Sequence, residues 1–262
     1  MIDLEKSGLN RFTSITTIAS MKPVYCHDKD SIDAVIKKII DSRHRSIPIL
    51  GKNGSVSGIV TATDILNSFM TGMDFSKPIS GIMVHDVLSV NSHDTIGYVL
   101  QKFKVSRRSR FPVLHDGKLA GIVSDFDIVK FFVDSSFGEK TENVMTRKPF
   151  FIQPSISIMN AVKTMVNSHY RRLPVVDSGK IAGLVIANDL LKILKERNYA
   201  FPALEDKISS VMIKNPITVK QTDDISAAIK TMMVHEIDGV LVSEDAKLEG
   251  ILTERNILEQ IN

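Results

Sequence analysis

The sequence predicts an α/β protein made of four β-α-β-β-α units paired into two modules. Three observations lead there. The heptapeptide "GIVTATD" at 58–64 returns as "GIVSDFD" at 121–127, as "GLVIAND" at 183–189 and, altered, as "GILTERN" at 250–256. Upstream of each motif glycine, Pro48, Pro112, Pro174 and Leu241 stand ten, nine, nine and nine residues away, and Ile32, Ile96, Ile158 and Ile225 stand sixteen residues earlier again. Each copy also runs through the same alternation of strand-like and helix-like apolar patterns. Repetition at such a period is read as a set of supersecondary units that bury their apolar faces against one another.

Each unit opens on a short apolar stretch that closes at Cys26, Val90, Ile152 or Val219, read as a strand. Ser31, Thr95, Ser157 and Asp224 then precede the anchoring isoleucine as helix N-caps. Apolar residues follow at helical spacing: Ile32, Val35, Ile36 and Ile39 in the first copy, with equivalent sets from Ile96, Ile158 and Ile225. That pattern is one apolar helix face. Next come "SIPIL", "RFPVL", "RLPVV" and "GVLV", a turn ("KNG", "HDG", "DSG" or "EDA") and a second apolar run, which together read as a hairpin. After the motif, segments such as "DILNSFM" resume helical periodicity. A unit of ~60 residues is marginal alone, so pairing is expected. The expected modules are 1–136 and 138–262, with 134–143 as the boundary between them and 195–207 as a long connection inside the second.

Composition narrows the function. No apolar run reaches the ~18 residues of a membrane span, and the N-terminal "MIDLEKSGLNRF" has no signal-peptide core. Cys26 is the only cysteine, which excludes an internal disulfide and fits a cytoplasmic setting. The net charge of +3 is too small to imply nucleic acid. The seven histidines form no HxxxH pair, and there is no P-loop or GxGxxG, so no enzyme, catalytic cofactor or metal site is expected.

The motif itself has two readings. Thr61 and Asp64 have capping-box spacing at a strand-to-helix junction. The same junction offers free N–H groups and a partial positive charge suited to phosphate, and a carboxylate suited to the two hydroxyls of a ribose. Repeat 3 separates the readings: Ile186 replaces the capping hydroxyl, yet Asp189 is kept. Arginines precede the proline in "RHRSIP", "RRSRFP" and "YRRLP", whereas repeat 4 has "HEIDGVL" and also loses its motif aspartate to Asn256. Joint loss is what a shared anionic ligand predicts.

The order strand, helix, "hPV" strand, hairpin and "Gh-h-[ST]-x-x-[ND]" helix resembles the CBS domain, named after cystathionine β-synthase, in four copies at about 15–72, 79–136, 141–198 and 208–262. The resemblance implies two Bateman modules that bind adenosyl ligands in clefts between paired repeats. It assigns Asp64, Asp127 and Asp189 to ribose hydroxyls, and Thr61, Thr63 and Ser124 to the phosphate side. Arg45, Arg110, Arg171 and Arg172 match its basic positions. Ile47, Phe111 and Leu173, with Pro48, Pro112 and Pro174, would flank the base. A stand-alone sensor of AMP, ADP or ATP is the expectation, as a homodimer that signals to an effector protein. S-adenosylmethionine is disfavoured, because its sulfonium would be repelled by the arginines. The competing readings are nucleic-acid binding through "KFKVSRRSR" (102–110) and a dimeric scaffold without ligand.

Overall fold

The computed structural model describes residues 2–135 and 137–262, so the expected end of repeat 2 at 136 lies outside the described residues. Repeat 1 comprises β1 (Cys26–His27), α1 (Ile32–Ser42), β2 (Ser46–Leu50), β3 (Val56–Thr61) and α2 (Ala62–Met70). Repeat 2 comprises β4 (Val90–Asn91), α3 (Ile96–Ser106), β5 (Arg110–His115), β6 (Lys118–Ser124) and α4 (Asp125–Val129). Repeat 3 begins with β7 (Thr146–Arg147) and then has α5 (Ile158–Ser168), β8 (Arg172–Asp177), β9 (Lys180–Ile186) and α6 (Ala187–Glu196). After β10 (Ile213–Lys214), repeat 4 has β11 (Thr218–Val219), α7 (Ile225–Val234), β12 (Gly239–Glu244), β13 (Lys247–Thr253) and α8 (Glu254–Leu258).

The local chemistry accounts for these elements. Ser31, Thr95, Ser157 and Asp224 each accept a backbone N–H in the first turn of their helix. The predicted faces are buried, with Ile32, Val35, Ile96, Val99, Ile158, Val162, Ile225 and Ile229 all at 0% exposure. In the hairpins, β5–β6, β8–β9 and β12–β13 turn on two residues with positive φ, as a type I′ turn requires. The extra residue of repeat 1 is taken up by a longer loop that includes the Lys52–Gly54 turn. The opening strand expected at Ile152 is reduced to one parallel bridge with Val175. Asp28 donates its N–H to Leu50 at 3.0 Å and Ser92 to Leu114 at 2.8 Å, but Pro154 occupies that place in repeat 3 and has no N–H to give.

The segments ahead of the repeats are used in exchange. Residues 11–21 lie ahead of β1 but pack on repeat 2: Ile96 and Gly97 at the start of α3 donate to Thr13 and Arg11, and Ser20 bridges Ile122. Residues 75–84 lie ahead of β4 but serve repeat 1, through Ile32 to Lys77, Asp33 to Phe75 and a bridge from Val84 to Ile59. In the same way β7 pairs with β13 of repeat 4, and β10 pairs with β9 of repeat 3. These segments satisfy the first N–H groups of the partner helix, which an α-helix cannot bond internally.

The chain divides into two compact units, one of Met1–Pro23, Leu88–Pro149 and Ile217–Asn262, the other of Val24–Val87 and Phe150–Pro216. The first unit holds repeats 2 and 4 and the second holds repeats 1 and 3. Each has its own continuous core, built from the inward faces of its helices and the alternate residues of its hairpins.

Candidate functional site

In each repeat the hairpin delivers the motif to the start of a helix. The register places Ser46 opposite Thr61, Arg110 opposite Ser124, Arg172 opposite Ile186 and Gly239 opposite Thr253. The main-chain carbonyls of Arg45, Ser109, Arg171 and Asp238 accept the first N–H of α2, α4, α6 and α8. The structure therefore brings the basic residues before the proline to the strand-to-helix junction of their own repeat. It also shows that Arg45 and Arg110 occupy successive rather than equivalent positions, and that repeat 3 fills both, with Arg171 and Arg172.

The motif aspartates differ in how far they are used by the fold. Asp64 Oδ2 accepts from the Thr61 N–H at 2.8 Å and from the Thr61 hydroxyl at 2.7 Å, while the Asp64 N–H donates to Thr61 Oγ1 at 3.2 Å. Ser124 and Asp127 repeat this box at 2.8 Å for both contacts, and the second oxygen of Asp127 takes Lys130 at 2.9 Å. Thr253 and Asn256 form the neutral version at 3.0 and 2.7 Å. The hydroxyl hydrogens of Thr61 and Ser124 thus already point at a carboxylate. The half-buried Thr63 hydroxyl has no hydrogen bond among the described residues.

Asp189 stands apart. The N-cap of α6 is Ile186, no side chain caps the helix, and no hydrogen bond or ion pair to Asp189 occurs among the described residues. The residue is half-buried, and burial pushes its pKa above the ordinary carboxylate value, opposed in part by the charge of Lys192. A polar group held this way costs free energy unless something bonds it.

Ile47, Phe111 and Leu173 lie at 0% exposure in the cores, and Phe111 stacks on Phe103 at 4.6 Å. Their side chains face the helices, because successive strand residues point to opposite faces. Pro48, Pro112 and Pro174 follow on the alternate face of their strands and are buried as well.

Sequence reasoning missed two further features. Asp125 and Glu254 are wholly buried at the first helical position, where repeats 1 and 3 have Ala62 and Ala187. The motif glycines are sites of close approach: a Cβ at Gly58, Gly121, Gly183 or Gly250 would lie 2.5, 2.9, 2.6 or 2.4 Å from the sulfur of Met83, Met21, Met212 or Met145. A methionine recurring ahead of each opening strand was the signal for the exchanged segments.

Comparison with known proteins adds the following. The CBS domain profile matches residues 15–71, 79–134, 142–196 and 208–262. The chain is 22% identical over 277 residues to the uncharacterized protein MJ1225 of Methanocaldococcus jannaschii, covering 95% of this chain and 99% of that one. It is 22% identical over 245 residues to an uncharacterized 33.4 kDa protein in a ribosomal RNA operon of Thermofilum pendens, covering 84% and 81%. The crystal structure of MJ1225 superposes with a TM-score of 0.87 at 21% identity, over 94% of this chain and 99% of that chain.

Proposed function

The chain belongs to the CBS domain family, and we propose that it is a regulatory protein that binds adenine nucleotides at the strand-to-helix junctions of its repeats. The observation that carries this reading is Asp189, a half-buried carboxylate without its capping partner, at the junction where Arg172 pairs with Ile186 and the Arg171 carbonyl accepts the first N–H of α6. A fold gains little by keeping a desolvated acid at that position; a ribose diol would supply the missing donors, and the arginines would take the phosphates. In repeat 1, Asp64 has one oxygen outside its box, Thr63 precedes it in the chain, and the Arg45 carbonyl accepts the first N–H of the same helix.

Repeats 1 and 3 are the stronger sites in this proposal. In repeat 2 the second oxygen of Asp127 is bonded to Lys130, and buried Asp125 adds negative charge near any phosphate reached by Arg110 and Ser124. Repeat 4 has Asn256, with Asp238 and Glu254 at the junction, and serves as a structural partner. The exchanged lead-in segments support reading repeats 1 and 2, and repeats 3 and 4, as modules. Binding would act by differential affinity for two states of the protein. The nucleic-acid reading loses support, because Lys102 and Lys104 of the basic stretch donate to the carbonyls of Ser89 and Ile261. No helix among the described residues is long and apolar enough to cross a membrane.

Mass spectrometry of small molecules released from the purified full chain tests the proposal. An adenine nucleotide at substoichiometric or greater occupancy, or uptake of added AMP, ADP or ATP, is expected. A protein that releases none and takes up none would overturn it.

A further inference from the structure

The unit of repeats 1 and 3 contains a cavity of about 590 Å³ away from the strand-to-helix junctions. Its size is within the usual range for small-molecule sites, ~300–1,000 Å³. It lies between the start of α1, the end of α2 and the segments around 72–76 and 199–201. Four aromatic rings form its walls. Phe69 stacks on Phe201 at 4.6 Å and 22°, and Phe75 meets Tyr199 edge-on at 4.6 Å and 77°.

The polar groups are acidic. Tyr199 donates its hydroxyl hydrogen to the carboxylate of Asp33, which also takes the Lys195 ammonium at 2.5 Å. Asp74 accepts the Ser76 N–H at 2.9 Å and adds a second carboxylate to the lining, which includes no Lys or Arg. Lys195 pairs with Asp33 and Lys77 acts on Asp74, both from outside the lining, so the charged groups that line the cavity itself are the two carboxylates. Asn198 and Tyr199 both have positive φ, at 49° and 58°, a sparsely populated conformation that holds the Tyr199 ring toward the cavity. Phe201 is 48% exposed at the edge.

We propose that this cavity binds a small organic cation of the arylalkylammonium or alkylammonium class. Aromatic faces attract an ammonium group through their quadrupole, and a nearby carboxylate reinforces the attraction. A phosphorylated ligand would meet two carboxylates and no lining Lys or Arg here, so AMP is not expected to compete for this site.

The test uses the full chain and three probes of one shape: phenethylammonium, 2-phenylethanol and phenylacetate, titrated at low salt by ligand-observed NMR. The cation is expected to bind at least about tenfold tighter than the anion, with the alcohol between. Phe201→Ala should weaken the cation several-fold, and added AMP should not displace it. Asp74→Asn changes an exposed residue and leaves the core untouched; it should narrow the gap between cation and alcohol. Equal affinities for the three probes, no binding of the cation, displacement by AMP, or indifference to both substitutions would overturn the proposal.

Discussion

Asp64 and Asp189 occupy the same place in their repeats, yet their removal is expected to affect stability to different extents. Asp64 accepts two hydrogen bonds from Thr61 and lies in the first turn of α2. Loss of such a cap costs about 1 kcal/mol, and loss of a negative charge at a helix N-terminus about 0.3–1 kcal/mol more. Asp64→Ala should therefore destabilise by about 1–2 kcal/mol, a fall in Tm of roughly 3–8 °C. Asp189 has no cap to lose and is disfavoured by burial. The favourable helix-end term and the unfavourable desolvation oppose one another, so Asp189→Ala should leave Tm within about 2 °C of the parent. The pH dependence has a definite sign. The folded-state pKa of Asp189 is raised, so its penalty is fully present above that pKa and disappears as pH falls below the unfolded value. Asp189→Asn should match or exceed the parent in stability at neutral pH, with any margin shrinking as pH falls toward the ordinary carboxylate range. Differential scanning calorimetry without nucleotide reads all three variants. If Asp189→Ala falls as far as Asp64→Ala, the carboxylate is a structural group and the argument for a ligand role fails.

Three other outcomes follow from the fold. Gly183→Ala would place a Cβ 2.8 Å from the carbonyl oxygen of Ile213 as well as against Met212, whereas Gly58→Ala meets only the flexible side chain of Met83; denaturant unfolding should show a cost of about 2–3 kcal/mol for the first and less for the second, and equal costs would contradict the backbone argument. Ala246 sits in the β12–β13 turn at φ +64°, where repeats 2 and 3 have glycine; Ala246→Gly should stabilise by about 0.5–1 kcal/mol, and a loss of stability would refute that turn assignment. Burial pushes the Cys26 thiol up to about 11, so alkylation by iodoacetamide at pH 8 should be roughly a hundredfold slower in the native protein than in urea; similar rates would show that the thiol is accessible and ionisable.

The parts of the fold that sequence made legible are those specified by neighbours along the chain. The N-caps at Ser31, Thr95, Ser157 and Asp224, and the helix faces behind them, depend on residues within two turns of one another. The capping box at Thr61 was legible for the same reason. The exchanged segments were not, because Met21 rests on Gly121 and Met145 on Gly250, about a hundred residues away in each case. The absence of a regular opening strand in repeat 3 turned on one missing N–H at Pro154, which the apolar pattern of "PFFI" conceals. At the site, the side-chain directions of Ile47, Phe111 and Leu173 required the pleat of a real strand.

The central claim is that Asp189 is kept for a nucleotide, and titration calorimetry tests it most directly. AMP, ADP, ATP and S-adenosylmethionine are titrated into the full chain and into Asp189→Ala. A charged hydrogen bond contributes about 1.5–3 kcal/mol, so the substitution should weaken one class of nucleotide site at least about tenfold, or remove it. The phosphorylated ligands should bind more tightly than S-adenosylmethionine in the parent. Nucleotide affinity and stoichiometry that are the same with and without Asp189 would contradict the account.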